Sequence, residues 1–164
     1  MERNVTENNI ISQALRKLTY GFYIVTARQG EEKAAGTVCW VSQISFDPPL
    51  VMIAIKNGSK LNQMIESGGK FAINIIGKAD KPMISPFARE TKVDNGKING
   101  YSYQEGQTGV PVFNQVPAIV ECEVNDKSTP GDHTIFVGKV VNSIVNNKDA
   151  EPLIEWETDF RYSG

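Results

Sequence analysis

Gly36-Thr37-Val38-Cys39-Trp40-Val41-Ser42-Gln43-Ile44-Ser45-Phe46-Asp47-Pro48-Pro49-Leu50 is the stretch on which the reading of this chain turns. Its first part is rich in Thr, Val, Trp and Ile, residues that suit a pleated, half-buried surface. On an ideal strand Thr37, Cys39, Val41 and Gln43 share one face, and Val38, Trp40, Ser42 and Ile44 share the other. That mix of hydroxyls, an amide and apolar groups suits a wall for a flat heteroaromatic ring, which needs apolar faces and a few donors and acceptors at its edge. Asp47-Pro48-Pro49 then breaks the ladder, because proline offers no amide donor. An ordinary half-exposed strand with a Pro-Pro exit accounts for the same residues, and periodicity alone favours it.

Outward from this stretch the pattern is mostly strand. Upstream, Ile10, Ile11, Ala14, Leu15 and Leu18 recur at helical spacing, and Tyr20-Gly21 ends that helix. Phe22 to Thr26 predicts a strand. Arg28-Gln29-Gly30-Glu31 predicts the turn of a hairpin, and Ala34 to Ser42 its second strand. Downstream, Leu50 to Lys56 is a further apolar run. Asn57-Gly58 turns the chain, Ser59 caps a helix through Leu61, Met64 and Ile65, and Gly68-Gly69 stops it. Phe71 to Ile76, Pro117 to Val124 and His133 to Val145 read as strands, the last two joined by Lys127-Ser128-Thr129-Pro130-Gly131. Between Asp80 and Gly106 the pattern is weak, with a short helix near Ile84 to Ala88. At least six strands at short spacing, with a few short helices, predict a mostly β sandwich or barrel in one domain, residues 1–164.

Composition narrows the functions. Apolar residues make up 40% and charged residues 22% of the 164, which argues for a globular chain and against wholesale disorder. A net charge of −2 carries no basic footprint for nucleic acid. No apolar run is long enough to span a bilayer. The start, Met1-Glu2-Arg3-Asn4, reads as neither signal peptide nor anchor, so a soluble cytoplasmic protein is expected. Cys39, Cys122 and His133 are the only cysteines and histidine, and no Cys-x-x-Cys or His-x-x-x-His spacing supports a metal site. Cys122 reads as a buried free thiol. No Gly-x-Gly-x-x-Gly follows a strand and no P-loop occurs, so a nucleotide-like cofactor needs another device to hold it.

Taken in order, the motifs resemble the flavin reductase-like family, whose members fold as FMN-binding split β-barrels. The opening stretch carries the resemblance as Thr37, Val38, Cys39, Trp40, Ser42, Gln43 and Ser45-Phe46-Asp47-Pro48-Pro49-Leu50. Leu15-Arg16-Lys17-Leu18-Thr19-Tyr20-Gly21 is similar to the family's first helix. Lys56-Asn57-Gly58-Ser59-Lys60 and Phe71-Ala72-Ile73-Asn74 are similar to the strand–helix–strand that follows. Gly131-Asp132-His133-Thr134-Ile135-Phe136-Val137-Gly138 is similar to the late Gly-Asp-His motif. The similarity spans most of the chain. Within the family it resembles the flavin domains of high-molecular-weight rubredoxins, the flavin reductase modules of flavodiiron proteins, and flavoredoxin-like proteins.

The resemblance implies bound FMN, reduced by NADH or NADPH and oxidised by a second acceptor. That acceptor would be free flavin, a ferric complex, or a redox protein of rubredoxin or flavodiiron type. It also implies a homodimer with the cofactor near the interface. Thr37, Val38, Cys39, Trp40, Ser42, Gln43 and Ser45 are the residues it puts around the flavin ring. Ser59 and Lys60, with Asn62 in the same turn, are those it puts at the phosphate, where a helix N-terminus offers free amides. A plain cap beside solvated lysines is the other reading of that turn. His133 is the residue it puts at the reaction, orienting the ring or the hydride donor; a strand-end histidine bonded to the backbone reads equally well. Phe87 and Arg89 fall where the family has a segment near the cofactor, and Phe87 reads as core. Phe160 and Tyr162 read as ring contacts or as cover for a dimer seam. Cys39 stands where many relatives carry Asn, and a thiol donates only weakly, so a looser hold or one through backbone groups is expected. Two other readings stay open: a flavoredoxin-type electron carrier reduced by a protein, and a non-redox split-barrel module for ligand binding or dimerisation.

Overall fold

The computed structural model describes residues 5–162; the Met1–Asn4 start lies outside them. Seven strands build the main sheet: β1 (Tyr23–Gln29), β2 (Glu32–Val38), β3 (Val41–Ser45), β4 (Leu50–Lys56), β5 (Lys70–Ile75), β6 (Ala118–Ser128) and β7 (His133–Val145). Their order is β2-β1-β5-β6-β7-β4-β3, with every neighbouring pair antiparallel. Three helices accompany them: α1 (Val5–Leu15), α2 (Lys60–Gly68) and α3 (Ile84–Phe87).

The two edges of this sheet, β2 and β3, are consecutive in the chain. Cys39 and Trp40 carry the backbone from one edge to the other. The Val41 amide donates to the Cys39 carbonyl at 3.1 Å, a three-residue turn. The Ala54 amide donates to the Trp40 carbonyl at 3.0 Å, which fixes the far side of the corner on β4. The expected single strand from Ala34 to Ser42 is therefore two strands, one paired with β1 and the other with β4. The face assignment drawn for an ideal strand fails at this turn, because a reversal resets which side chains lie together. The sheet does not close by hydrogen bonds. A gap remains between β2 and β4, and the site described below lies there.

Inside the curl, Val25, Ile53, Phe71, Ile73, Cys122 and Phe136 form a buried cluster, and Leu61, Met64 and Ile65 of α2 plug it. Each large side chain so buried contributes about 1.5–3 kcal/mol. Helix α2 begins and ends as its sequence predicts. Ser59 Oγ accepts the Asn62 amide at 3.1 Å, and Gly69 closes the helix in the left-handed conformation (φ 68°), its amide donating to Ile65 O. On the other face of the sheet, Phe22, Ile24 and Ile76 pack against Met83, Ile84, Phe87 and Phe113. The weakly patterned middle is thus a packed layer, turned by three two-residue strands between Val93 and Ser102. Asn74 stitches the layer down: its amide donates to Ile24 O at 2.9 Å and its oxygen accepts the Phe113 amide at 2.8 Å.

Two expectations shift. β6 runs on to Ser128, four residues past the expected Val124, because β7 stays paired with it to Ile135. The first helix stops at Leu15 rather than continuing through Leu18. Its apolar side chains do not reach the core: Ile10, Ile11, Leu15 and Leu18 are between 42% and 62% exposed. No helix among the described residues is long and apolar enough to cross a membrane.

Candidate functional site

A cleft of about 350 Å³ occupies the gap between β2 and β4. One wall is the end of β2 with the corner: Thr37, Val38 and Cys39. The opposite wall is residues 54–56 of β4, followed by Ser59, Lys60 and Leu61 at the start of α2. Gly36 lets the helix come this close, since a Cβ there would lie 3.2 Å from Leu61 Cδ2. The third side is residues 87–91 after α3. Thr91 Oγ1 accepts the Ala35 amide and donates to the Ala35 carbonyl, both at 3.0 Å, which satisfies the free edge of β2. Thr37 Oγ1 donates to Ile84 O at 2.8 Å and ties the same edge to α3.

The α2 end of this cleft is built for an anion. The first amides of a helix have no intrahelical acceptor. Ser59 takes that of Asn62, which leaves those of Lys60 and Leu61 facing the cleft end. Lys56, Lys60 and Arg89 line the cleft, and the side chain of none forms an ion pair or hydrogen bond among the described residues, although the Lys56 charge helps to lower the Asp132 pKa. Glu90 is the one carboxylate in the lining. Three cations around a cleft that a helix N-terminus borders suit a phosphate.

Beyond the corner, Trp40, Ser42 and Met52 line a second cavity of about 500 Å³ together with Tyr20 and His133. The Trp40 and His133 rings lie 4.6 Å apart. His133 opens β7 opposite Lys56 of β4, so the register brings the histidine beside the first cleft. Asp132 Oδ1 sits 2.7 Å from His133 Nδ1, and the hydrogen bond from this ring holds the Asp132 carboxyl below the usual range. His133 Nε2 lies 2.9 Å from the Tyr162 hydroxyl. Burial pushes the Tyr162 pKa up, so that hydroxyl keeps its proton. With a proton on Nδ1 the ring donates to Asp132, and Nε2 can then accept from the Tyr162 hydroxyl. Asn57 joins the two regions. It donates to Gly131 O at 2.9 Å, accepts from Thr134 Oγ1 at 2.8 Å, and stands two residues before the Ser59 cap. Trp40 Nε1 is buried without a well-formed acceptor, a polar atom left over at the meeting point of the cavities.

The expected site residues thus separate. Thr37, Val38, Cys39, Ser59 and Lys60 gather in the first cleft, and Trp40, Ser42 and His133 in the second. Gln43, Ser45 and Asn62 line neither. Past the corner β3 runs along the outer edge of the sheet, where Gln43 Nε2 donates to Ser45 O at 3.2 Å. Asn62 turns inward, buried, its amide 3.4 Å from Ile55 O. Cys39 is 4% exposed. Burial, and then the charge of Glu155, push its thiol up to about 12, so it sits in the wall as a neutral thiol. Arg89, which the resemblance puts near the cofactor, lines the first cleft. Asn57 and Thr91 had no site role in the sequence, since an isolated polar residue in irregular chain shows no period.

The flavin reductase like domain model matches residues 15–164. The ferric-chelate reductase (NAD(P)H) of Archaeoglobus fulgidus is 30% identical over 144 residues, which are 86% of this chain and 84% of that protein. Diflavin flavoprotein A 1 of Synechocystis is 29% identical over 136 residues, 82% of this chain and 24% of that protein. The chain spans about a quarter of the length of such diflavin relatives. Among solved structures, the NADH:FAD oxidoreductase SgcE6 of Streptomyces globisporus superposes with a TM-score of 0.79 at 21% identity, over 94% of this chain and 86% of that one. That likeness is one of fold, the split barrel.

Proposed function

The chain belongs to the flavin reductase-like domain family, and on that premise we propose that it is an FMN-dependent oxidoreductase taking electrons from NADH or NADPH. The observation that carries this reading is the pairing of an anion end with a ring end across one corner. Lys56, Lys60 and Arg89 line a cleft that the Ser59-capped helix borders, their side chains in no ion pair among the described residues, and the cleft runs past Cys39, next to which Trp40 lies against His133. A phosphate joined to a flat ring by a short chain has that layout. Bound FMN would supply the hydride and electron chemistry, and the protein its binding and orientation.

In this reading Ser59, Lys60 and the first amides of α2 hold the phosphate, with Arg89 closing the mouth. Thr37, Val38 and Cys39 border the ring, chiefly through the backbone of the corner, since the Thr37 hydroxyl is engaged with Ile84 and the Cys39 thiol is buried. Trp40, Ser42 and His133 line the space for the nicotinamide, and Asp132 sets the direction of the imidazole. The acceptor of the electrons is free flavin, a ferric complex or a redox protein of rubredoxin or flavodiiron type. The ferric-chelate reductase and the diflavin flavoprotein among the relatives support those classes. The exposed apolar stripe of α1 supports a homodimer.

Absorption spectroscopy tests the core of this. The purified protein, supplied with FMN, is expected to retain yellow colour through gel filtration and to bleach anaerobically with NADH or NADPH. A colourless protein whose melting temperature FMN does not move sinks it, because a ligand bound by the native state must stabilise that state. Bleaching by a reduced protein alone replaces the enzyme with an electron carrier.

A further inference from the structure

Tyr162 stands at the junction of the two regions. Its side chain lines the 350 Å³ cleft and also a cavity of about 440 Å³ bordered by Lys56, Trp40, Asp132 and His133. Its hydroxyl holds His133 Nε2 at 2.9 Å, and its ring meets Trp40 edge-on with centroids 5.3 Å apart. We propose that Tyr162 is a gate, which occupies the passage between the flavin cleft and the His133 cavity and must swing aside when a planar ring enters. This rests on the FMN reading above.

The construction around Tyr162 separates a fixed backbone from a side chain able to move. The Tyr162 amide donates to Glu155 Oε1 at 2.6 Å, and Glu155 is buried. The Arg161 guanidinium donates to the carbonyls of Glu155, Thr158 and Phe160. Phe160 packs edge-on against Phe22 in the core layer. The chain is therefore pinned up to the Tyr162 nitrogen. The ring beyond it is held by one hydrogen bond and by contacts with Trp40 and His133, and Tyr162 is 50% exposed, so the outward side is open to solvent. The cost of opening is small, while the closed ring covers His133, whose side chain keeps only 11% of its exposure. A ring that enters from the α2 end competes for Trp40 and His133 with the ring already there.

A closed gate reduces apparent affinity by the fraction of molecules that are open. Removing it is expected to improve FMN binding and to uncover His133. The experiment uses untagged apo protein, in which His133 is the only histidine. Diethyl pyrocarbonate modification is followed for the wild type, Tyr162→Phe and Tyr162→Ala, with melting temperatures as the check on folding. Modification is expected to quicken about threefold in Tyr162→Phe and about tenfold in Tyr162→Ala, following the change in open fraction. FMN association, read by flavin fluorescence, should quicken in the same order, with Kd falling. Equal modification rates in the wild type and Tyr162→Ala overturn the gate. So does a Kd for FMN that rises in Tyr162→Ala, which makes Tyr162 a fixed wall of the site. FMN bound equally well by all three removes the gate and leaves the FMN reading; FMN bound by none removes both.

Discussion

The Ser59 hydroxyl accepts the Asn62 amide at 3.1 Å, so the residue that caps α2 also forms part of the wall of the cleft. Stability and anion binding meet in one side chain and can be separated by substitution. Ser59→Asp keeps a capping oxygen and adds a negative charge where a phosphate is to sit. Its melting temperature should stay within about 2 °C of the wild type, since Asp caps as well as Ser. FMN affinity should fall at least about 100-fold through like-charge repulsion, about 3 kcal/mol at this distance. Ser59→Ala should lose about 1 kcal/mol of stability and only about tenfold in affinity. Isothermal titration beside thermal melts checks both; undiminished FMN binding in Ser59→Asp would place the phosphate elsewhere.

Glu121 is fully buried on β6. Its carboxylate accepts the Gln107 amide at 3.1 Å, the Thr108 amide at 2.8 Å, the Thr108 hydroxyl at 2.5 Å and the Asn142 amide at 2.8 Å. Burial opposes ionisation, but together these donors outweigh it and hold the carboxyl below its ordinary pKa. The unfolded chain thus takes up this proton at higher pH than the folded one. The contribution is complete above the unfolded value, about 4.3, and is lost as pH falls through the lower folded value. Glu121→Gln faces these donors with an amide NH₂, and should lose about 2–3 kcal/mol near neutral pH, or about 5–10 °C in melting temperature. Its melts should lack the acid step that the wild type shows below about pH 4.5. An unchanged acid step in the variant would assign it to other carboxylates.

Cys39 and Cys122 are both buried, with thiols pushed up to about 12, first by burial and then by a nearby carboxylate. At pH 8 only about one thiol in 10⁴ is ionised. Iodoacetamide should label neither cysteine in the native protein and both in denaturant, as read by mass spectrometry. Rapid native labelling of Cys39 would instead show a reactive thiol in the cleft.

Placing at position 39 the amide that the sequence resemblance suggests tests the corner from the other side. Cys39→Asn buries an amide that lacks a partner until a ring arrives, at a cost of about 1–3 kcal/mol. It should melt below the wild type without FMN and gain more from added FMN than the wild type does. An equal gain would show that the position does not touch the cofactor.

Trp40 and Trp156 are the two tryptophans. Trp156 lies away from both cavities, under Lys17 and Arg161 at 5.4 and 5.2 Å. Added FMN should quench most of the Trp40 emission. Trp40→Phe should lose most of that quenching and bind FMN about three- to tenfold more weakly, whereas Trp156→Phe should lose neither. Quenching that survives in Trp40→Phe would put the ring elsewhere.

Local chemistry made much of this chain legible. Ser59 and Gly69 mark α2 because capping needs only a side-chain oxygen at one end and a left-handed residue at the other. The turn at Gly30 and the Pro48-Pro49 exit announce themselves for similar reasons. The break at Cys39 and Trp40 was hidden, since every residue from Thr37 to Val41 favours a strand and no Gly or Pro marks the reversal. The bonds of Thr91 to Ala35, Asn57 to Gly131 and Tyr162 to His133 were hidden differently: they span 56, 74 and 29 residues of sequence.

By itself the sequence determined a mostly β chain, the capped helix after β4, and a set of ordered motifs that implied a flavin site. Those depend on contacts between near neighbours, whose energies a short window contains. Only the tertiary structure decided that β2 and β3 are opposite edges of one sheet, that Trp40 and Ser42 share a cavity with His133 while Gln43 and Ser45 lie outside, and that Tyr162 of the first cleft reaches His133. Strand pairing is settled by which partners bury the most surface and satisfy the most backbone groups, and those partners lie far away along the chain.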